Sequence, residues 1–289
     1  MNLHHYTAAG LKVAALLDTR AGDTAPWLIA LHGFPDTPQG FEPLVEQAAR
    51  RGYRILAPFL RGYAPTGLAP DGDYRLPALA GDVLAWMDHF QMPQAGLIGH
   101  DWGAAIAYTA AVQAPQRIRR LVTAAVPHVG HFLFRPRLAQ LRRSHYMFRF
   151  QWPGWAERTL PAQDYAWLRR LIRDWSPGWR PSEADLAPLL ASFSQPDHLR
   201  AALAYYRALP GQILSRRARA QVLAPVPVPT LQIIGEQDGC IGPEIFEGQA
   251  AYFPAGLSQQ RLAAGHFMHW EQPAAFARAA LDFHDGGRG

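Results

Sequence analysis

Lysine and cysteine are almost missing from this 289-residue sequence: Lys12 and Cys240 each stand alone. A single cysteine excludes an intrachain disulfide framework and a multi-cysteine metal site. It reads as a buried or half-buried thiol beside the loop that holds Asp238. No uninterrupted apolar run approaches the roughly 20 residues of a membrane span. Met1 to Ala9 lacks the basic flank and apolar centre of a secretory signal, so the expected compartment is the cytoplasm. Charged residues are also few, at 18%, and the net charge of +5 rests almost wholly on arginine. More than half of the arginines fall between Arg135 and Arg219, in pairs such as Arg142-Arg143, Arg169-Arg170 and Arg216-Arg217. Such a run can attract nucleic acid or an acidic membrane. No recognised nucleic-acid module accompanies it, so it reads as a solvated helical face whose long stems cover apolar surface. Neither nucleic acid nor a membrane is an expected partner.

The length suits one large α/β domain, or a core with a smaller domain inserted. Leu11–Leu17, Trp27–Leu31 and Arg54–Pro58 read as strands. Gly40–Arg51 and Pro77–Phe90 read as helices with apolar residues at helical spacing. Ala95–Ile98 is a further strand and is followed by a helix to about Ala114, then by a strand over Arg120–Ala125. This alternation predicts a mostly parallel sheet covered on both faces. From about His128 to Val222 strand-like runs disappear, and Trp152, Trp155, Trp167, Trp175 and Trp179 fall in helical spacing. The Pro-Val-Pro-Val-Pro run at 225–229 reads as a stiff re-entry linker. Strands resume with Val228–Ile234 and Gln260–Ala263, and Pro273–His284 closes the chain as a helix. The expected division is a core over 1–127 and 223–289, interrupted by a helical cap over 128–222.

Gly99-His100-Asp101-Trp102-Gly103 lies between a predicted strand and a predicted helix, the context of a nucleophile elbow. Glycines permit the sharp turn because they lack a Cβ. The residue at the apex is aspartate, where a serine would serve acyl transfer. A carboxylate displaces a leaving group at saturated carbon and leaves an ester for water to cleave, so the motif points to epoxides or halides and away from serine-triad chemistry.

Three other segments fit the same machine. His32-Gly33-Phe34-Pro35 follows the strand Trp27–Leu31, where such a loop donates a backbone N–H to an oxyanion; the second donor is the residue after the nucleophile. These positions are Phe34 and Trp102. Asp238 follows the strand Val228–Ile234, at the ligand-binding edge of a parallel sheet, and suits the acid that orients a histidine; Glu236 competes for that role. His266 comes last, giving the chain order nucleophile, acid, histidine. His266 and His269 have no third ligand at metal spacing, so no metal or cofactor is expected. His269 reads as a structural or supporting residue and His100 as packing beneath the elbow. Tyr146 and Tyr206 lie in aromatic-rich helical stretches, where a tyrosine is usually core.

Together these residues resemble the epoxide hydrolases of the α/β-hydrolase superfamily over nearly the whole chain. The match rests on His32 to Pro35, on His100 to Gly103 and on Gly265 to Phe267. The resemblance implies that Asp101 attacks the epoxide, that Tyr146 and Tyr206 hold its oxygen, and that His266 with Asp238 activates the water that cleaves the ester to a diol. It implies an epoxide and water as the partners; the bulky Trp and Phe residues of the expected cap point to a small apolar substrate, and a monomer or homodimer is expected. Two departures stand out. Arg61-Gly62-Tyr63-Ala64-Pro65-Thr66 replaces a glycine usual in the family, and Tyr205 competes with Tyr206 for the inward position. A haloalkane dehalogenase would use the same aspartate with Trp102 and a second indole gripping halide. A non-catalytic binding member of the fold would be expected to lose one of the three polar residues.

Overall fold

The computed structural model describes residues 3–135 and 137–286. It opens with β1 (Leu3–Ala8) and then alternates as predicted: β2 (Leu11–Asp18), β3 (Trp27–Leu31), α1 (Glu42–Arg50), β4 (Arg54–Pro58), α2 (Leu76–His89), β5 (Ala95–His100), α3 (Trp102–Gln113) and β6 (Ile118–Ala124). Helices follow as α4 (Val129–Phe134), α5 (Leu138–Arg143), α6 (His145–Phe150), α7 (Trp155–Thr159) and α8 (Ala162–Trp175). They continue as α9 (Glu183–Phe193), α10 (Pro196–Leu214) and α11 (Arg216–Val222). The chain then returns to the sheet as β7 (Thr230–Gly235) and β8 (Leu257–Leu262), and ends with α12 (Met268–Glu271) and α13 (Pro273–Asp285).

The eight strands form one sheet in the order β1-β2-β4-β3-β5-β6-β7-β8. The pairs β1–β2 and β2–β4 are antiparallel, and from β4 onward neighbours run parallel. Every residue of β3, β5 and β7 is buried, as expected of strands covered on both faces. One face packs on α1 and α13 through Phe41, Leu44, Val45, Phe276 and Leu281. The other packs on α2 and α3, and this core continues into the helices between β6 and β7 through Tyr146, Phe150, Phe193 and Tyr206. Leaving a β-strand's C-terminal end therefore leads into a helix or loop on the same edge, where the predicted polar residues sit.

The boundaries differ from the sequence reading for definable reasons. β7 begins at Thr230 because Pro227 and Pro229 have no N–H for the ladder. β6 begins at Ile118 and stops at Ala124, since Ala125 turns to a φ of 64°. β8 starts earlier than expected, at Leu257, with a polar and largely exposed face that hides its period. β1 was not expected: its Leu-His-His-Tyr-Thr-Ala run is an edge strand that keeps both histidines exposed.

Candidate active site

Asp101 sits between β5 and α3 with φ 50° and ψ −117°. That conformation is strained for a residue bearing a Cβ. The turn is possible because of its neighbours. A Cβ on Gly99 would run into the backbone of Gly103, and one on Gly103 into the carbonyl of Leu31. The apex residue thus stands clear of the sheet, at the N-terminus of a twelve-residue helix whose dipole favours negative charge there.

Four strand ends converge on this carboxylate. From the end of β3, the Phe34 N–H donates to Asp101 Oδ1 at 2.8 Å. From the end of β8, His266 places Nε2 at 3.5 Å from Asp101 Oδ2. Its Nδ1–H donates to Asp238 Oδ2, beyond the end of β7, at 2.9 Å. Asp238 Oδ1 accepts from the Cys240 and Ile241 N–H groups at 2.7 and 2.8 Å, which fixes the acid's orientation. Glu236 is exposed on the same loop, so the geometry selects Asp238. Asp101, Asp238 and His266 are all buried. Burial disfavours a charged imidazole, yet the charges and hydrogen bonds of Asp238 and Asp101 outweigh it and raise the His266 pKa to about 10.

Tyr146 on α6 and Tyr206 on α10 enter the site from the helical segment. They share with Asp101 and Trp102 the lining of an otherwise apolar pocket that includes Val126, Phe132, Leu133 and Ile241. Their rings meet edge to face at 5.8 Å. Tyr206 also stands edge-on to Trp102 at 5.0 Å and to Phe34 at 5.3 Å. The Tyr206 hydroxyl is buried and makes no hydrogen bond of ordinary geometry, although the Trp102 side chain lies near enough to favour the phenolate weakly. The Tyr146 hydroxyl touches Cys240 Sγ at 3.4 Å. Burial first, reinforced by the nearby Asp101 charge, pushes both phenols well above their ordinary range, so both remain protonated. Tyr205 faces the other way and donates to the Arg61 carbonyl at 2.8 Å. Gln151, just past α6, ties α6 to α10 by donating to the Tyr206 carbonyl at 2.9 Å. Cys240 is fully buried, as its position predicted.

Two features escaped the sequence. The Trp175 carbonyl, at the end of α8, accepts from both the Gly239 and the His266 N–H at 3.0 Å, and Ser176 Oγ accepts from the Phe267 N–H at 2.8 Å. The helical segment therefore clamps the acid and histidine loops through its backbone, a role no side-chain pattern signals. The second feature lies under the elbow, where Asp36, His100 and His269 bring ligand-type atoms within 4.8 Å of one another. Hydrogen bonding already occupies much of this donor set. His269 Nε2–H and the Trp270 indole donate to Asp36 at 2.7 and 3.0 Å, and His100 Nε2–H donates to the His266 carbonyl at 2.9 Å. Burial, with the histidines around it, holds the His100 pKa well below its usual value, so the ring is neutral packing that also anchors the His266 backbone.

The halide reading needs a second indole, and among the described residues Trp102 is the one indole lining the pocket; none of Trp152, Trp155, Trp167, Trp175 and Trp179 does so. Trp175 instead lies tilted against Tyr146 and edge-on to His266, Trp155 meets Trp167, Trp179 lies on Trp270 and Trp152 is exposed.

The chain is similar to known proteins along most of its length. Residues 26–273 match the family described as the alpha/beta hydrolase fold. The Bacillus subtilis AB hydrolase superfamily protein YfhM is 29% identical over 269 residues, covering 90% of this chain and 91% of that protein. Epoxide hydrolase 4 of Mus musculus is 30% identical over 280 residues, covering 93% of this chain and 72% of that protein. A solved Klebsiella pneumoniae structure, provisionally described as an epoxide hydrolase, has a TM-score of 0.84 at 26% identity, covering 97% of this chain and 96% of that one.

Proposed function

Because the chain belongs to the alpha/beta hydrolase fold family and is similar to epoxide hydrolases within it, we propose that it opens small apolar epoxides to vicinal diols through an ester on Asp101. One observation carries the reading: a carboxylate on the sheet edge and two protonated tyrosines on α6 and α10 line one pocket. A nucleophile and two proton donors facing a common space suit a substrate that needs attack at carbon and proton transfer to oxygen together.

The Phe34 N–H holds Asp101 Oδ1, which leaves Oδ2 to attack. As the C–Oδ2 bond forms, the epoxide C–O bond breaks and its electron pair goes to the oxygen. Tyr146 and Tyr206 hydrogen-bond that oxygen and one supplies its proton; help of this sort is worth about 10²–10⁴-fold. Forming the ester also removes the Asp101 charge, one of the two that keep His266 protonated. His266 then gives up its proton more readily, to the reprotonating tyrosine or to solvent, and the neutral ring is free to act as a base. Neutral His266 takes a proton from water as the oxygen attacks the ester carbonyl. The Phe34 and Trp102 N–H groups stabilise the oxyanion, each such donor being worth roughly 3–4 kcal/mol in a protease. Collapse expels the diol oxygen as an alkoxide, which takes the proton from His266, and the regenerated Asp101 carboxylic acid returns its proton to His266.

The test is a paired assay on purified protein: diol from styrene oxide, and bromide from 1-bromoalkanes. Diol without bromide is expected. Bromide without diol would replace this reading by the halide one, which lacks a second indole at the pocket.

The tyrosine assignment has its own check. Tyr146→Phe and Tyr206→Phe should each lower kcat by about 10²-fold or more, in line with the loss of acid catalysis. Tyr205→Phe should leave kcat near that of the parent and lose only about 1 kcal/mol of stability, the worth of its hydrogen bond to Arg61. A Tyr205 variant more impaired than the Tyr206 variant would reverse the assignment.

A further inference from the structure

Seven large apolar side chains are exposed among the described residues, and five of them crowd into one stretch: Phe134, Leu138, Leu141, Phe148 and Trp152. Leu138 and Leu141 are three apart on α5, and Phe148 and Trp152 are four apart along and just beyond α6, spacings that put each pair on one helix face. The charge carried by this stretch of chain is of one sign, although Glu244 and Glu247 reach it from the loop after β7 and pair with Arg143 and Arg137. No aspartate or glutamate occurs from residue 102 to residue 156, while Arg135, Arg137, Arg142 and Arg149 are exposed in the same stretch. Arg137 reaches only a distant Glu247 at 3.9 Å. Exposed aromatic and aliphatic side chains amid arginines are the composition of an interfacial surface.

Position adds a second argument. Phe132, Leu133 and Met147 line the catalytic pocket from α4 and α6 while staying half-exposed. The pocket thus opens among the helices that carry the exposed patch.

We propose that α4, α5 and α6 dock on an anionic lipid surface, bringing the pocket mouth against the phase in which an apolar substrate dissolves. The arginines meet acidic headgroups and the Phe, Leu and Trp side chains enter the acyl boundary. This departs from the reading of the arginines as a merely solvated face. A second copy of the chain fits worse, because a two-fold contact sets each arginine cluster against its own image. Single-stranded nucleic acid also fits worse, since exposed Leu138 and Leu141 offer no face for base stacking. The proposal holds whichever electrophile the pocket opens.

Flotation of the full chain with phosphatidylcholine vesicles, with and without phosphatidylglycerol, tests it. Binding is expected to the phosphatidylglycerol vesicles, weakening as salt rises. Arg142→Glu with Arg149→Glu should reduce that binding by at least roughly fivefold per arginine. Phe148→Ala with Trp152→Ala should weaken it separately. Circular dichroism and turnover of a dissolved substrate should match the parent in both double variants, which separates failed docking from failed folding or catalysis. Equal binding to both vesicle types, or none to either, overturns the proposal. So does a dimer in sedimentation that the same substitutions dissolve, or tighter binding to an oligonucleotide than to the acidic vesicles.

Discussion

Asp101→Asn is expected to leave a folded protein with no turnover, at a loss of roughly 10⁴–10⁶-fold, the scale seen when a hydrolase loses its nucleophile. The substitution keeps the size of the side chain, and an amide oxygen can still accept from the Phe34 N–H that now binds Oδ1 at 2.8 Å. It removes the negative charge that attacks carbon. The same change has a second readout that needs no substrate. His266 owes its raised pKa to Asp238 and Asp101 acting against burial, and a carboxylate favours the protonated ring. Removing one carboxylate must therefore move the His266 pKa down from about 10, which NMR titration of the ring proton reads directly. Activity within tenfold of the parent would defeat the covalent scheme, unless it grows with storage as deamidation restores aspartate. An unmoved His266 pKa would mean that the 3.5 Å approach to Asp101 is not electrostatically felt.

His266→Gln should divide the reaction in two. Ring opening uses Asp101 and the tyrosines, so it continues; hydrolysis has lost its base, so the ester persists. Intact-protein mass spectrometry of the variant with styrene oxide should show the mass of one substrate added, and peptide mapping should place it on Asp101. Steady-state turnover should fall by about 10⁴-fold or more after one stoichiometric burst, in keeping with triad losses elsewhere. The variant should fold, because Asp238 keeps its two backbone donors from Cys240 and Ile241. Unmodified protein after incubation with a substrate that the parent consumes would contradict the division of labour.

Much of this was readable in the residues because the chemistry of turns is local. A Gly-x-Asp-x-Gly between an apolar run and a helix has few other uses, and strands buried on both faces announce themselves as apolar runs: β3 and β4 coincide with their predicted spans. Asp238 could be preferred to Glu236, but only the fold shows one turned inward to His266 and the other exposed. Tyr205 and Tyr206 differ by one step of about 100° around α10. When both flanks of a helix are buried, as here, composition does not fix its phase, and the Tyr205 bond to Arg61 had to be seen. Backbone roles were beyond reach altogether. The Trp175 carbonyl that gathers Gly239 and His266 would serve equally from another residue type. The Asp36–His269 pair joins residues distant in the chain that share no motif.

The glycine frame around residue 101 has a consequence for descent. Gly99 and Gly103 have no room for a side chain because backbone presses on each of them, whereas the residue they carry projects into open pocket. Selection can therefore vary the apex while the frame is held fixed, and a change of reaction type needs no change of architecture. Lineages sharing this turn should diverge in chemistry at its tip and in substrate along the helices above it, while the turn itself stays recognisable long after overall identity has decayed.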